Sequence, residues 1–259
     1  MMIDDRSKNE TTRAGDRAAS LRLSCLMLHG LGGGAYELEP VTAALRGAGF
    51  DIEAPLLPGH EGPGPKMPAS NWKDWAGTAL ASFDKLARKG ASVAVIGFST
   101  GGTLALELCT RRPVARQVLL APFLAIRYTR MLPLRPVAYL RHLARFIPDL
   151  PRRPPAVRDP QMRSWAASAD RFATFSLHAA SSALELIDTV MPLVPGITTP
   201  TLILQGQLDT VVEPHCAVWL YKTLGSREKT LVSLSQSDHL LALDRERGRV
   251  IEAILQFLS

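Results

Sequence analysis

The sequence predicts an α/β fold, with a mostly parallel central sheet flanked by helices and a helical cap insertion. Three observations carry this reading. Short apolar runs alternate with amphipathic stretches along most of the chain. The interval 123–195 breaks that alternation and offers only Pro-broken helical pieces. Finally, "VAVIGFSTGG" sets a serine between glycines where an apolar run gives way to a helix-like one.

Taken in order, residues 1–22 are charged and polar, lack the apolar centre of a signal peptide, and read as a flexible lead. Leu23–Leu28 is the first strand candidate, followed by the glycine-rich "HGLGGGA" and an amphipathic stretch, Glu37–Arg46. Phe50–Ala54 is a second strand, Trp72–Arg88 a helix, and Ser92–Phe98 a third strand leading to the helix Thr103–Arg111. Gln117–Ala121 closes the first half. The insertion follows, with helical pieces at Pro136–Ile147 and Gln161–Ile187. Beyond it come Thr201–Gln205, the helix Pro214–Leu224, Thr230–Leu234 and the terminal helix Arg245–Leu258. The core is therefore expected at 23–122 and 196–259, with 123–195 covering the sheet end where ligands of such folds bind.

A chain of 259 residues with 46% hydrophobic content can bury a large core. No run approaches the roughly 18 apolar residues that a membrane span needs. Cys25, Cys109 and Cys216 lie far apart and in no metal-ligand spacing. They read as reduced packing residues of a cytoplasmic protein. The net charge of +6 is uneven, with eight arginines between Arg127 and Arg158. This stretch has almost no lysine and five prolines between Pro148 and Pro160, so it reads as a solvated cap surface and not as a nucleic-acid site. Its sharper reading is peripheral contact with anionic lipid or attraction of anionic substrates.

In "GFSTGG" the pattern G-x-S-x-G puts Ser99 on a strand-to-helix turn, where side chains at 97 and 101 would collide. Alone the pattern is weak, since a random chain of this length contains it about one time in ten. A serine hydroxyl also needs a base, and the base an orienting acid. "LQGQLDTVV" offers Asp209 after one late strand, and "SQSDHLLALD" offers His239 after the last. Asp238 adjoins His239, but neighbouring side chains seldom align on an imidazole Nδ1, and Asp244 is assigned to the terminal helix. His142 and His178 fall in the insertion, and His215 opens a helix. His29 and His60 flank glycines in loops and read as structural hydrogen-bonding groups. The glycines of "HGLGGGA" let backbone amides turn toward the serine, with Leu31 and Thr100 the expected oxyanion donors. That loop lacks both the G-x-G-x-x-G spacing and a following Walker lysine, which argues against nucleotide binding.

With "LHGLGG", "PLLPGHEG", "GFSTGG", "LQGQLDTVV" and "SDHLLALDRE" in view, the chain resembles the α/β-hydrolase superfamily. More narrowly, it is similar to compact bacterial carboxylesterases and monoacylglycerol lipases over about Leu23 to Leu258. The resemblance implies Ser99 as nucleophile, Asp209 as acid, His239 as base, and the Leu31 and Thr100 amides as oxyanion donors. Two positions depart from the family pattern. Asp238 stands where a small residue is usual, and Thr100 where an apolar one is common.

The expected activity is hydrolysis of a small-molecule carboxylic ester through an acyl-enzyme, with neither metal nor organic cofactor. A thioesterase, an acyltransferase or a C–C bond hydrolase could use the same triad, and a silent binding protein would ordinarily have lost one of its members. Leu134, Tyr139, Phe146, Phe172 and Phe175 supply apolar bulk to the insertion and read mostly as cap core.

Overall fold

The computed structural model describes residues 23–127, 143–169 and 171–259. The lead 1–22, the start of the helix expected at Pro136, and Leu134, Tyr139 and His142 lie outside them. The chain forms a six-stranded sheet in the order β2-β1-β3-β4-β7-β8, where β1 is Leu23–Leu28, β2 Asp51–Glu53, β3 Ser92–Phe98, β4 Arg116–Leu120, β7 Thr201–Gly206 and β8 Lys229–Leu234. All neighbours in it are parallel.

Helices cover both faces, and the strand sequences show why. Leu26 and Leu28 of β1, Val93 and Val95 of β3, Leu119 and Ile203 point to one face. There they meet α2 (Trp72–Ala87), α3 (Thr100–Cys109), α5 (Leu177–Val190) and α6 (His215–Thr223). Their alternates Cys25, Met27, Ala94, Ile96, Val118 and Leu204 point to the other face, against α1 (Glu39–Gly47) and α7 (Arg247–Leu258). Strands buried on both sides need continuous apolar runs, which is what made them legible. The start of α2 is set by Asn71, whose side chain accepts from the Lys73 and Asp74 amides at 3.0 and 3.2 Å.

The register aligns the strand ends. Leu28 lies beside Gly97, Phe98 beside Leu120, Leu120 beside Leu204, and Gly206 beside Leu234. The loops that follow β1, β3, β4, β7 and β8 therefore emerge along a single edge, and every candidate site residue is in one of them or at the start of α3.

The stretch 123–195 differs from expectation. It contains a two-stranded antiparallel ribbon, β5 (Asp149–Pro151) with β6 (Thr174–Ser176), and the expected helix Gln161–Ile187 is split in two. The first half is α4 (Pro160–Ser168), capped by Asp159. The second is α5, which is capped by Ser176, whose hydroxyl accepts from the Ala179 amide at 3.3 Å, and packs in the core beside α2 and α3. Phe172 is buried, whereas Phe146, expected in the cap core, is 82% exposed. No helix of the described residues is long and apolar enough to cross a membrane. Cys25, Cys109 and Cys216 are all free, and burial pushes the Cys25 and Cys109 thiols up to about 12.

Candidate active site

Ser99 sits between the end of β3 and the first residue of α3, with φ 53° and ψ −118°. A serine in the left-handed half of the map costs on the order of 1–3 kcal/mol, which the surrounding structure must supply. Its amide donates to Leu120 O at 2.9 Å, and its carbonyl accepts from Gly102 and Phe123 at 2.9 and 3.0 Å. The flanking glycines are required by backbone crowding. A Cβ at 97 would overlap the Gly101 carbonyl and lie 2.7 Å from Gly102 Cα. One at 101 would overlap the Leu28 carbonyl and lie 2.7 Å from His29 O. Gly101→Ala must push β1 away from α3, so a loss of about 2 kcal/mol is expected. Differential scanning calorimetry should then show Tm lower by roughly 4–8 °C. An unchanged Tm would mean the turn is not tight.

The turn aims the Ser99 hydroxyl at His239, whose Nε2 is 3.0 Å from Oγ. On the other side of the ring, Nδ1 is 2.8 Å from Asp209 Oδ2. Asp209 is fully buried in the loop after β7. Its Oδ1 accepts from the Val211 and Val212 amides, each at 2.8 Å, and Oδ2 also accepts from Gln205 Nε2 at 3.0 Å. Burial pushes this carboxyl up, but the His239 ring and the two amides outweigh it and hold it below the usual carboxylate range. An ionised Asp209 requires Nδ1 to carry the proton, which leaves Nε2 as acceptor for the serine hydroxyl. The ring also lies 4.9 Å from the Phe98 ring, which limits its freedom to turn.

Asp238, beside the base in sequence, is directed away from the ring. Its Oδ1 accepts from the Thr210 amide and hydroxyl at 2.9 and 2.8 Å and from the His239 amide at 2.9 Å, and its Oδ2 meets Arg158 Nε at 3.1 Å. Asp244 precedes α7 instead of lying within it, and its carboxylate collects the amides of Arg158, Asp159, Arg245 and Asp238 at 2.7–2.9 Å. Near the start of the stretch 123–195, the Arg127 amide donates to Val211 O at 3.0 Å, and its Nη1 to Asp209 O. Two points of the stretch 123–195, one near its start and one in its middle, are thus tied to the loops that carry Asp209 and His239. Sequence reasoning missed these ties, because nothing in a run of arginines says which of them meets a carboxylate.

Leu31 lies in the loop after β1, and Thr100 is the first residue of α3. His29 and His60 brace that loop. His29 Nε2 accepts from the Leu57 amide at 3.0 Å, and His60 Nε2 from the Gly32 amide at 2.9 Å. Burial, and then the neighbouring His60, lower His29 to about 3; burial lowers His60 as well. Both therefore stay neutral and act as acceptors. A cavity of about 490 Å³ lies against the loop, with Gly33, Tyr36, Leu56, His60 and Trp165 among its lining. Among the described residues, no three His, Cys, Asp or Glu side chains are grouped as a metal ion would need.

A family model described as Hydrolase_4, serine aminopeptidase, S33, matches residues 19–246. The chain belongs to that family. Among its relatives, a carboxylesterase of Bacillus subtilis (strain 168) is 24% identical over 250 residues, covering 96% of this chain and 95% of the relative. A thermostable monoacylglycerol lipase of Bacillus sp. (strain H-257) is 24% identical over 241 residues, covering 90% and 89%. The crystal structure of a monoacylglycerol lipase from Paleococcus ferrophilus superposes with a TM-score of 0.75 at 24% identity, covering 90% of this chain and 93% of that one. That likeness is one of fold. This Hydrolase_4 chain is an α/β hydrolase whose named relatives are esterases and lipases.

Proposed function

We propose that the protein is a serine esterase cleaving carboxylic esters, short- to medium-chain acyl esters or monoacylglycerols, through an acyl-enzyme on Ser99. The observation that carries this is the continuous relay from Ser99 Oγ through His239 to Asp209, at 3.0 and 2.8 Å, on a strained turn. His239 Nε2 takes the hydroxyl proton as Ser99 Oγ attacks the carbonyl carbon, and the carbonyl oxygen becomes an oxyanion. The Leu31 and Thr100 amides receive it. Thr100 suits this role because the first N–H of a helix has no intrahelical acceptor. The ester C–O bond then breaks, and the departing alcohol leaves with the proton from His239. Water, deprotonated by the same ring, releases the acid and restores Ser99.

Leu56, Tyr36 and Trp165 around the cavity supply apolar surface for an acyl chain. A steady-state series of p-nitrophenyl esters of graded acyl length is expected to show hydrolysis with an optimum at short to medium chains. A fluorophosphonate should label one peptide, the one containing Ser99. Folded protein that hydrolyses no ester of the series, or takes the label elsewhere, would overturn the proposal.

A further inference from the structure

Glu37 is a buried carboxyl that this reaction does not use. It comes from the short helical turn Ala35–Leu38 and is 6% exposed. Its Oε2 accepts from the Gly30 amide at 2.9 Å. The same carboxyl fills the space beside Gly33, where a Cβ would overlap its carbon and both oxygens. Gly33 N donates to Gly30 O at 3.2 Å, so the loop closes on itself against Glu37. Elsewhere on the loop, the Gly32 amide is taken by His60 Nε2 and its carbonyl by Arg152 Nη1. The amides of Gly30, Gly32 and Gly33 are therefore all engaged within the protein, with that of Leu31 in their midst.

Burying a carboxyl is costly, so a residue that served only to start a helix would be expected at the surface. Burial pushes Glu37 up to about 7, against the Gly30 amide, Arg152, His239 and the Gly34 amide, which pull it down. Burial, and then the neighbouring Glu37 charge, push the Tyr36 hydroxyl up.

We propose that Glu37 is a positioning residue, whose carboxyl, bonded to the Gly30 amide and wedged against Gly33, fixes the direction of the Leu31 amide. This rests on the reading of Leu31 as an oxyanion donor. The wedge needs an acceptor oxygen and side-chain volume at this place, and it needs no charge, so glutamine preserves it and leucine does not.

The test compares Glu37→Leu with Glu37→Gln on one p-nitrophenyl ester, with a trifluoromethyl ketone as mimic of the tetrahedral adduct. Misdirecting an oxyanion donor costs about 10²-fold or more in kcat. Glu37→Leu is expected to show that loss with KM little changed, and to bind the ketone weaker by the same factor. Glu37→Gln should recover most of both. A folded leucine variant with kcat near wild type would overturn the inference, as would a glutamine variant no better than leucine. Should the leucine variant fail to fold, Gly33→Ala displaces the carboxyl from the loop side, and an unchanged kcat there would overturn it equally. Ser99→Ala in parallel separates the two readings. Activity silenced by Ser99→Ala but indifferent to Glu37 sinks only this inference, whereas activity indifferent to Ser99→Ala sinks the esterase reading.

Discussion

Replacing Ser99 by Ala is expected to lower kcat on the order of 10⁶-fold, because nucleophile and base act as a unit. The fold should survive. The strained φ of 53° is a property of the turn, and alanine carries the same Cβ into it as serine. The substitution removes one oxygen and the 3.0 Å contact to His239 Nε2, while the backbone bonds to Leu120, Gly102 and Phe123 remain. Circular dichroism and thermal melts should therefore overlay those of wild type while ester turnover disappears. A variant keeping kcat within about tenfold of wild type would assign the attack to another group.

Asp209→Asn is expected to cost about 10⁴-fold in kcat, through the proton on the imidazole. The Val211 and Val212 amides both point at Oδ1, so the asparagine carbonyl must take that place. Its NH₂ then faces His239 Nδ1 and donates to it, which moves the ring proton to Nε2 and blocks acceptance from Ser99. Gln205 Nε2, which donates to Oδ2 at 3.0 Å, meets a second donor and must turn away. Stability follows with a definite sign. The folded carboxyl is held below its unfolded value of about 3.9. Its contribution is present above that pH and is lost as pH falls through the folded value. The Tm difference between wild type and Asp209→Asn should be widest near neutral pH and narrow in acid. A difference that stays constant with pH would show that the carboxylate charge contributes nothing to the fold.

Much of the sheet was legible because its signal is redundant. Leu23–Leu28 and Ser92–Phe98 are apolar on both faces, and glycines stand at 97 and 101, where a Cβ would overlap backbone. The chain order of serine, acid and base followed from motif and strand positions, and the structure brings Ser99, His239 and Asp209 into hydrogen-bonding distance. The ribbon Asp149–Pro151 with Thr174–Ser176 was not legible, since strands of three residues, one of them ending in proline, carry no periodicity. Nor was the burial of Glu37. A glutamate at a helix start reads as a solvated cap, and only the three-dimensional return of the loop encloses it. The pairing of Asp238 with Arg158 failed for the same reason, because it joins residues from separate loops.

Ser99 and His239 are 140 positions apart, and His239 follows β8, an edge strand that among the described residues pairs with β7 alone. On the proposed mechanism, a refolding chain cannot turn over ester until that last strand has docked, however complete its helices are. Recovery of hydrolysis after dilution from denaturant therefore times the final closure of the sheet, and should trail the return of the far-ultraviolet signal.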